Sequence, residues 1–95
     1  MRLTVLSYSY VPDVLERREP HRPGHLELIE RERSARRLLL AGAVGEPPHG
    51  ALFVFIDPAA AAGFAAADPY GQAGLVSESR IEPWNVVAHS PLPEA

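Results

Sequence analysis

The chain has 95 residues, a formal net charge of −3 at pH 7 and no cysteine. Its length suits one domain near the lower limit for an independent core, and 46% hydrophobic with 22% charged residues is a globular composition. The acidic balance argues against a nucleic-acid partner, which needs a basic patch, and the lack of cysteine excludes disulfides, thiolate catalysis and cysteine-based metal centres.

The start of the chain predicts a strand followed by a connection that is irregular or forms a single helical turn. Residues 3–8 are rich in β-formers and precede a turn-prone Pro-Asp pair, which indicates a first strand. Residues 14–20 predict irregular structure or one helical turn, because Pro20 and Pro23 interrupt any longer helix.

A first main helix is predicted after this connection. Pro23 suits the first turn of a helix that runs to about Arg36. Leu26 and Ile29 are expected to form a narrow apolar stripe on that helix. The charged residues between and after them are expected to face water, namely Glu27, Glu30, Arg31 and Glu32.

The middle of the chain predicts two strands and a second helix. Residues 37–43 and 51–56 are strongly apolar and are separated by a Pro- and Gly-rich loop, so they predict the second and third strands. Asp57 followed by Pro58 has the pattern of an N-cap with proline at the first helical position. A helix is therefore expected over residues 59–67.

The last part of the chain predicts one short turn, a long strand and a tail. Pro69 ends the second helix, and residues 69–74 can form one further turn. Residues 75–87 predict the last strand, in which Pro83 must sit at an edge or a bulge. Residues 89–95 predict a frayed tail.

The element order β-α-β-β-α-β predicts an α+β, ferredoxin-like domain over residues 1–88, with a four-stranded antiparallel sheet. Two helices cover only one face of such a sheet. The second and third strands are nevertheless apolar at nearly every position, which is typical of strands buried on both faces. The helix-free face therefore needs a cover, and the simplest is the same face of a second copy. We expect a homodimer in the form of a dimeric α+β barrel.

His25 and Asp68 are the two candidate catalytic residues. His25 lies in the first turn of its predicted helix, where the helix dipole favours a neutral imidazole able to accept a proton. A carboxylate that met this ring could orient it for general acid–base catalysis. Each residue also has a structural interpretation. His25 can be a packing or surface residue, and Asp68 before Pro69 can be a helix N-cap.

Four further residues are candidates for binding a substrate. Arg22 could clamp a carboxylate or phenolate through its planar guanidinium, or pair with a neighbouring acidic side chain on the surface. Tyr70 and Trp84 could line a pocket, or be core or interface aromatics. Ser7 could place a hydroxyl near the end of the first strand.

No metal or cofactor is predicted. His21 and His25 have the spacing of helical zinc ligands, but Pro23 between them disfavours a shared regular helix. A third ligand is not evident in the sequence, and nothing in it supports a cofactor-dependent reaction. No apolar run approaches the roughly 20 residues of a membrane-spanning helix, and no signal-peptide layout is present. We therefore expect a cytoplasmic protein without a membrane partner.

Four short motifs give the chain a family resemblance from about residue 3 to residue 87. The motifs are Arg22-Pro23-Gly24-His25-Leu26, Asp68-Pro69-Tyr70, Ala73-Gly74-Leu75 and Ile81-Glu82-Pro83-Trp84. In their order and spacing they resemble the YCII-related (YciI-like) proteins. The resemblance implies a ferredoxin-like domain that pairs as a dimeric α+β barrel. It also implies that His25 and Asp68 form the family's His–Asp dyad.

The resulting functional prediction is a small acid–base enzyme. Neutral His25 would take a proton from a substrate carbon or hydroxyl, Asp68 would fix its tautomer, and Arg22 or backbone N–H groups would stabilise an oxyanion. The resemblance implies elimination or isomerisation of small cyclic, enol-like substrates, some of them halogenated. Two alternatives stay open. One is a non-catalytic homodimer that binds a small metabolite or acts as an accessory subunit, and the other is a purely structural dimer.

Overall fold

Four strands form one antiparallel sheet. In the computed structural model, which describes residues 1–94, strand β1 (Arg2–Tyr10) lies between β3 (Gly50–Phe55) and β4 (Val76–Asn85). Strand β2 (Leu38–Val44) pairs with the other side of β3, so the strand order is β2-β3-β1-β4. This sheet with its helices confirms the predicted α+β, ferredoxin-like class.

Proline marks the start of three of the four α-helices. The connection after β1 contains α1 (Val14–Arg17) and a 3₁₀ turn (Glu19–His21), and it leads into α2 (Arg22–Ser34). The third helix, α3 (Pro58–Ala67), is followed at once by the single turn α4 (Pro69–Gln72). Proline occupies one of the first two positions of α2, α3 and α4, where its missing N–H costs no hydrogen bond.

Two Asp-Pro pairs start the last two helices in the same way. The side chain of Asp57 accepts a hydrogen bond from the N–H of Ala60 at 2.8 Å and caps α3. The side chain of Asp68 accepts one from the N–H of Tyr70 at 3.1 Å and caps α4. The two caps differ in burial, because Asp57 is exposed whereas Asp68 is 0% exposed. Burial of a charged group requires further partners, which only Asp68 has.

The core lies between the helices and one face of the sheet. Alternate residues of β1 point to this face, and in the strand register Leu6 lies opposite Phe53 of β3. The side chains that fill the core are mostly large and apolar: Leu6, Tyr8, Leu28, Leu38, Phe53, Phe55 and Phe64. Aromatic rings dominate its centre, with Phe64 of α3 packed against Phe53 at a ring distance of 4.9 Å.

The side of α2 that faces the sheet differs from the predicted one. Its buried residues are His25, Leu28 and Glu32, which are spaced along one helical face. The prediction that Glu32 faces water was wrong: its carboxylate is buried and bonded to the Arg37 guanidinium at 2.7 and 2.9 Å. This pairing lowers the pKa of Glu32 below its ordinary value. Leu26, expected in the apolar stripe, is 45% exposed.

The opposite face of the sheet keeps large apolar side chains exposed. Leu40 is 44% exposed, Leu52 47% and Trp84 46%. The edge position of β4 accommodates Pro83, as predicted. Residues 86–94 contain no helix or strand, and Ala95, the last residue of the predicted tail, lies outside the described residues. Among residues 1–94, no helix has the length and apolar character needed to cross a membrane.

Candidate active site

His25 and Asp68 meet in the protein interior. His25 lies in the first turn of α2, and Asp68 lies at the junction of α3 and α4. The Nδ1 atom of His25 is 2.7 Å from Oδ1 of Asp68, and their side chains are 7% and 0% exposed. The packing of α2 against α4 thus joins residues that are 43 positions apart in sequence.

The Asp68 carboxylate is held by three donors. Its Oδ2 accepts a hydrogen bond from the Tyr8 hydroxyl at 2.7 Å, and its Oδ1 accepts from His25 and from the Tyr70 N–H. An ionised carboxylate only accepts, so we assign a proton to Nδ1 of His25. The remaining nitrogen, Nε2, then carries a lone pair and can accept a proton. The Asp68 carboxylate therefore both caps α4 and orients the His25 ring.

Aromatic side chains fix the plane of the imidazole. The ring of Tyr70 is stacked on that of His25, with centroids 3.7 Å apart and an interplanar angle of 3°. The rings of Phe53 and Phe64 approach the imidazole edge-on, each at a centroid distance of 6.4 Å. This packing leaves the ring little rotational freedom, which a positioned proton acceptor requires.

A cavity of about 400 Å³ opens beside His25, between α2 and the strands β2 and β3. One part of its lining is apolar and includes Leu26, Ile29, Ala41, Ala51 and Phe53. The other part is polar and includes Tyr10, Arg18, Arg22 and Tyr70. Of the predicted binding residues, Arg22 and Tyr70 are thus next to His25. Within residues 1–94, Arg22 makes no ion pair, so the surface pairing considered above is not observed.

Ser7 and Trp84 do not belong to this cavity. Strand alternation turns Ser7 to the side of the sheet opposite to its neighbour Tyr8, and its pairing partners are Leu52 and Arg80. Trp84 lines a groove on the same helix-free side. The structure does not bring either residue to the His25–Asp68 pair, and we omit both from the candidate site.

Three polar residues of the site were not predicted: Tyr8, Tyr10 and Arg18. Tyr8 could have been found from alternation in β1, because it shares a face with the apolar Leu6. Alternation does not predict the direction of the Tyr10 side chain, because the pairing of β1 with β4 shifts between Ser9 and Tyr10. Arg18 lies in the irregular connection before α2, where the sequence has no periodicity that assigns a direction to a side chain.

The site also changes the acidity of two tyrosines, Tyr8 and Tyr10. Burial, reinforced by the Asp68 carboxylate, raises the pKa of Tyr8 well above its ordinary value. Burial raises the pKa of Tyr10 to about 12, with Tyr70 and Asp68 acting in the same direction and Arg18 and Arg22 against it. Both hydroxyls therefore remain protonated donors at neutral pH.

These pKa shifts predict a loss of stability at alkaline pH. Above pH 10, the ordinary tyrosine pKa, the folded chain binds more protons than the unfolded chain, so the free energy of unfolding falls as the pH rises. Urea unfolding at pH 8, 10 and 11 should show this fall, and the Tyr8→Phe/Tyr10→Phe double variant should show a smaller one. An identical pH dependence in both proteins would contradict the raised pKa values.

A metal centre would need several ligands close together. Among residues 1–94, no group of three or more His, Asp or Glu side chains is arranged to hold a metal ion.

The structure is therefore that of a ferredoxin-like domain that holds a buried His–Asp pair beside a small cavity. Residues 1–85 match the sequence model of the YCII-related domain. The chain belongs to the YCII-related domain family. No curated protein matches the sequence.

Solved structures support the fold. The 5-chloro-2-hydroxyhydroquinone dehydrochlorinase TftG of Burkholderia phenoliruptrix AC1100, in complex with 2,5-dihydroxybenzoquinone, superimposes with a TM-score of 0.71 and 18% identity over 87% of this chain and 93% of that one. A protein of unknown function from Nitrosomonas europaea, NE2512, gives 0.58 and 20% over 99% and 95%. An antibiotic biosynthesis monooxygenase gives 0.57 and 15% over 93% and 100%. At these identities the similarity shows a shared fold.

Proposed function

We propose that the protein is an enzyme that catalyses the elimination or isomerisation of a small cyclic enol-like substrate by general acid–base catalysis. The observation that carries the proposal is the 2.7 Å contact between Nδ1 of His25 and Oδ1 of Asp68, buried next to a cavity. The cavity volume of about 400 Å³ is within the usual range for small-molecule sites. The dihydroxybenzoquinone carried by the similar TftG structure supports a cyclic, enol-type substrate.

The proposed step is a proton transfer to Nε2 of His25. In an elimination, the C–H proton moves to Nε2, the C–H electron pair forms the new double bond, and the leaving group departs with its bonding pair. Asp68 stabilises the imidazolium that forms, and the Tyr8 hydroxyl and Tyr70 N–H keep the carboxylate in place. The imidazolium then returns the proton to another carbon or oxygen in an isomerisation, or to solvent in an elimination.

Two assays test this proposal. One follows chloride release from 5-chloro-2-hydroxyhydroquinone, the compound in the name of the similar dehydrochlorinase. The other follows exchange of the ring hydrogens of 2,5-dihydroxybenzoquinone in D₂O by NMR, which reports proton transfer at carbon directly. Wild type should accelerate at least one reaction, and His25→Gln should lower that rate by about 10²-fold or more.

His21→Gln is the matched control for these assays. His21 lies in the 3₁₀ turn just before α2 and does not line the cavity, so its variant should retain the wild-type rate. An unaccelerated rate with wild type in both assays, or a His25→Gln rate equal to that of wild type, would contradict the enzyme proposal. In that case the non-catalytic, metabolite-binding alternative would be the better description.

A homodimer through the helix-free face is a second part of the proposal. Leu40, Leu52 and Trp84 keep nearly half of their surface exposed there, around an apolar groove of about 590 Å³. Contiguous apolar patches of this kind mark interaction sites. A two-fold-related copy of the same face would bury them and should remove more than about 1,000 Å² from solvent.

The cytoplasmic location expected from the sequence stays a prediction.

A further inference from the structure

The Tyr8 hydroxyl approaches the His25–Asp68 pair from the side of the sheet. Tyr8 is buried and does not line the cavity next to His25. Its hydroxyl donates to Oδ2 of Asp68 at 2.7 Å, whereas His25 and the Tyr70 N–H both bond to the other oxygen, Oδ1. Among the described residues, Tyr8 is thus the one donor to Oδ2. It acts on the imidazole through the carboxylate.

Three neighbours on β3 hold Tyr8 in this position. Its ring packs edge-on against Phe53, with centroids 4.9 Å apart and an interplanar angle of 68°. In the strand register Tyr8 lies opposite Ala51, whose side chain is a single methyl group. A Cβ atom on Gly50 would collide with the backbone carbonyl of Tyr8, so the close approach of β3 to β1 requires glycine there. The sheet therefore fixes the direction of the Tyr8 hydroxyl.

A donor on Oδ2 changes how strongly the carboxylate favours a second proton on the imidazole. Asp68 is 0% exposed, so bulk water does not stabilise its charge. A buried carboxylate attracts a neighbouring imidazolium strongly, because opposite charges interact most at low dielectric constant. The O–H of Tyr8 stabilises the carboxylate itself and so weakens this preference for the imidazolium. Burial raises the pKa of Tyr8 well above its ordinary value, so the hydroxyl remains a donor at neutral pH.

The other titratable and charged groups around His25 come from β1, from the connection before α2, from α2 itself and from α4. They all line the cavity: Tyr10, Arg18, Arg22 and Tyr70. The side chains of α3 and β3 next to the imidazole are aromatic and carry no charge. Nearby cations disfavour an imidazolium, so Asp68 is the group that favours it and Tyr8 is the group that moderates Asp68.

We propose that Tyr8 is a positioning residue that, through its hydrogen bond to Asp68, keeps His25 in the neutral, Nδ1-protonated form that accepts a proton at Nε2. This inference rests on the proposed function, because it concerns the base of that reaction. The two carboxylate oxygens have separate tasks: Oδ1 orients the ring, and Oδ2 shares the negative charge with Tyr8. Asp68 thereby holds the imidazole without keeping it permanently charged.

Histidine NMR titration of wild type and of two Tyr8 variants tests this role. Tyr8→Phe keeps the ring and removes the donor, so it should raise the imidazolium-to-imidazole ratio of His25 at pH 7 by about 10-fold, because a hydrogen bond to a charged group is lost. Replacement of Tyr8 with 3-fluorotyrosine nearly preserves the shape and makes the phenol a stronger donor, so it should lower the ratio. In the D₂O exchange assay, the loss of rate on the acid side should begin at a higher pH in Tyr8→Phe than in wild type.

Tyr10→Phe is the matched control for the titration. Tyr10 lies on the same strand, with its ring 6.2 Å from that of Tyr8, but among the described residues its hydroxyl is not a donor to Asp68. Its variant should change the His25 titration much less than Tyr8→Phe does. The remaining histidines are internal controls and should titrate alike in all four proteins: His21, His49 and His89.

An unchanged His25 titration in both Tyr8 variants, or equal changes in Tyr8→Phe and Tyr10→Phe, would overturn the role of Tyr8. If Tyr8→Phe does not fold, the direction of the shift in the 3-fluorotyrosine protein decides, and a shift toward more imidazolium would contradict the inference. The titration does not depend on catalysis. A wild type that accelerates neither assay reaction, with titrations that shift as expected, would therefore contradict the enzyme proposal alone.

Discussion

Replacing Asp68 with alanine is expected to lower the free energy of unfolding by about 3–5 kcal/mol, because three donors lose their common acceptor. The Tyr8 hydroxyl, the Nδ1–H of His25 and the Tyr70 N–H all bond to this carboxylate in the interior. A buried donor left without a partner costs about 1–3 kcal/mol. Urea denaturation followed by circular dichroism measures the loss.

Asp57→Ala is a control with the same local chemistry. Asp57 also precedes a proline and caps a helix, but it is exposed and its side chain serves one N–H, that of Ala60. Loss of a simple N-cap should cost about 1 kcal/mol. If the two variants lose the same stability, Asp68 acts as a helix cap only, and the buried hydrogen-bond network does not stabilise the fold.

The substitution Leu52→Glu is expected to convert the proposed dimer to a monomer. Leu52 lies on β3, one of the two inner strands, and is 47% exposed on the helix-free face, so a glutamate is solvated in the single chain. In the proposed dimer the same carboxylate would be buried without a partner in each subunit. An unpaired buried charge costs several kcal/mol, and about 3 kcal/mol corresponds to a roughly 10²-fold weaker dimer. Sedimentation velocity at micromolar concentration measures this change.

Leu15→Glu is the comparison for this experiment. Leu15 lies on α1 and is 41% exposed, close to the value for Leu52, but it is not on the sheet. Its variant should sediment as a dimer like wild type. A wild-type protein that is monomeric at micromolar concentration would contradict the dimer directly, whatever the behaviour of the two variants.

The sequence by itself determined the class of fold. Prolines and Asp-Pro caps mark the helix starts, and their effect is local, because proline lacks an N–H and restricts its own backbone and that of the preceding residue. For the same reason the start of α2, predicted at Pro23, lies only one residue away in the structure, at Arg22. The His25–Asp68 pairing was also accessible, but through resemblance to a family and not through spacing.

Only the tertiary structure decided which side chains complete the site. Tyr8 reaches Asp68 from a strand 60 residues away, a contact created by the packing of β1 beneath the helices. Arg18 turns into the cavity from an irregular segment, where no repeat in the sequence assigns a direction. Ser7 and Trp84 show the converse: their residue types suit a pocket, but the alternation of β1 and β4 places them on the other face. Residue type indicates what a side chain can do, and the pairing of the strands decides which cavity it lines.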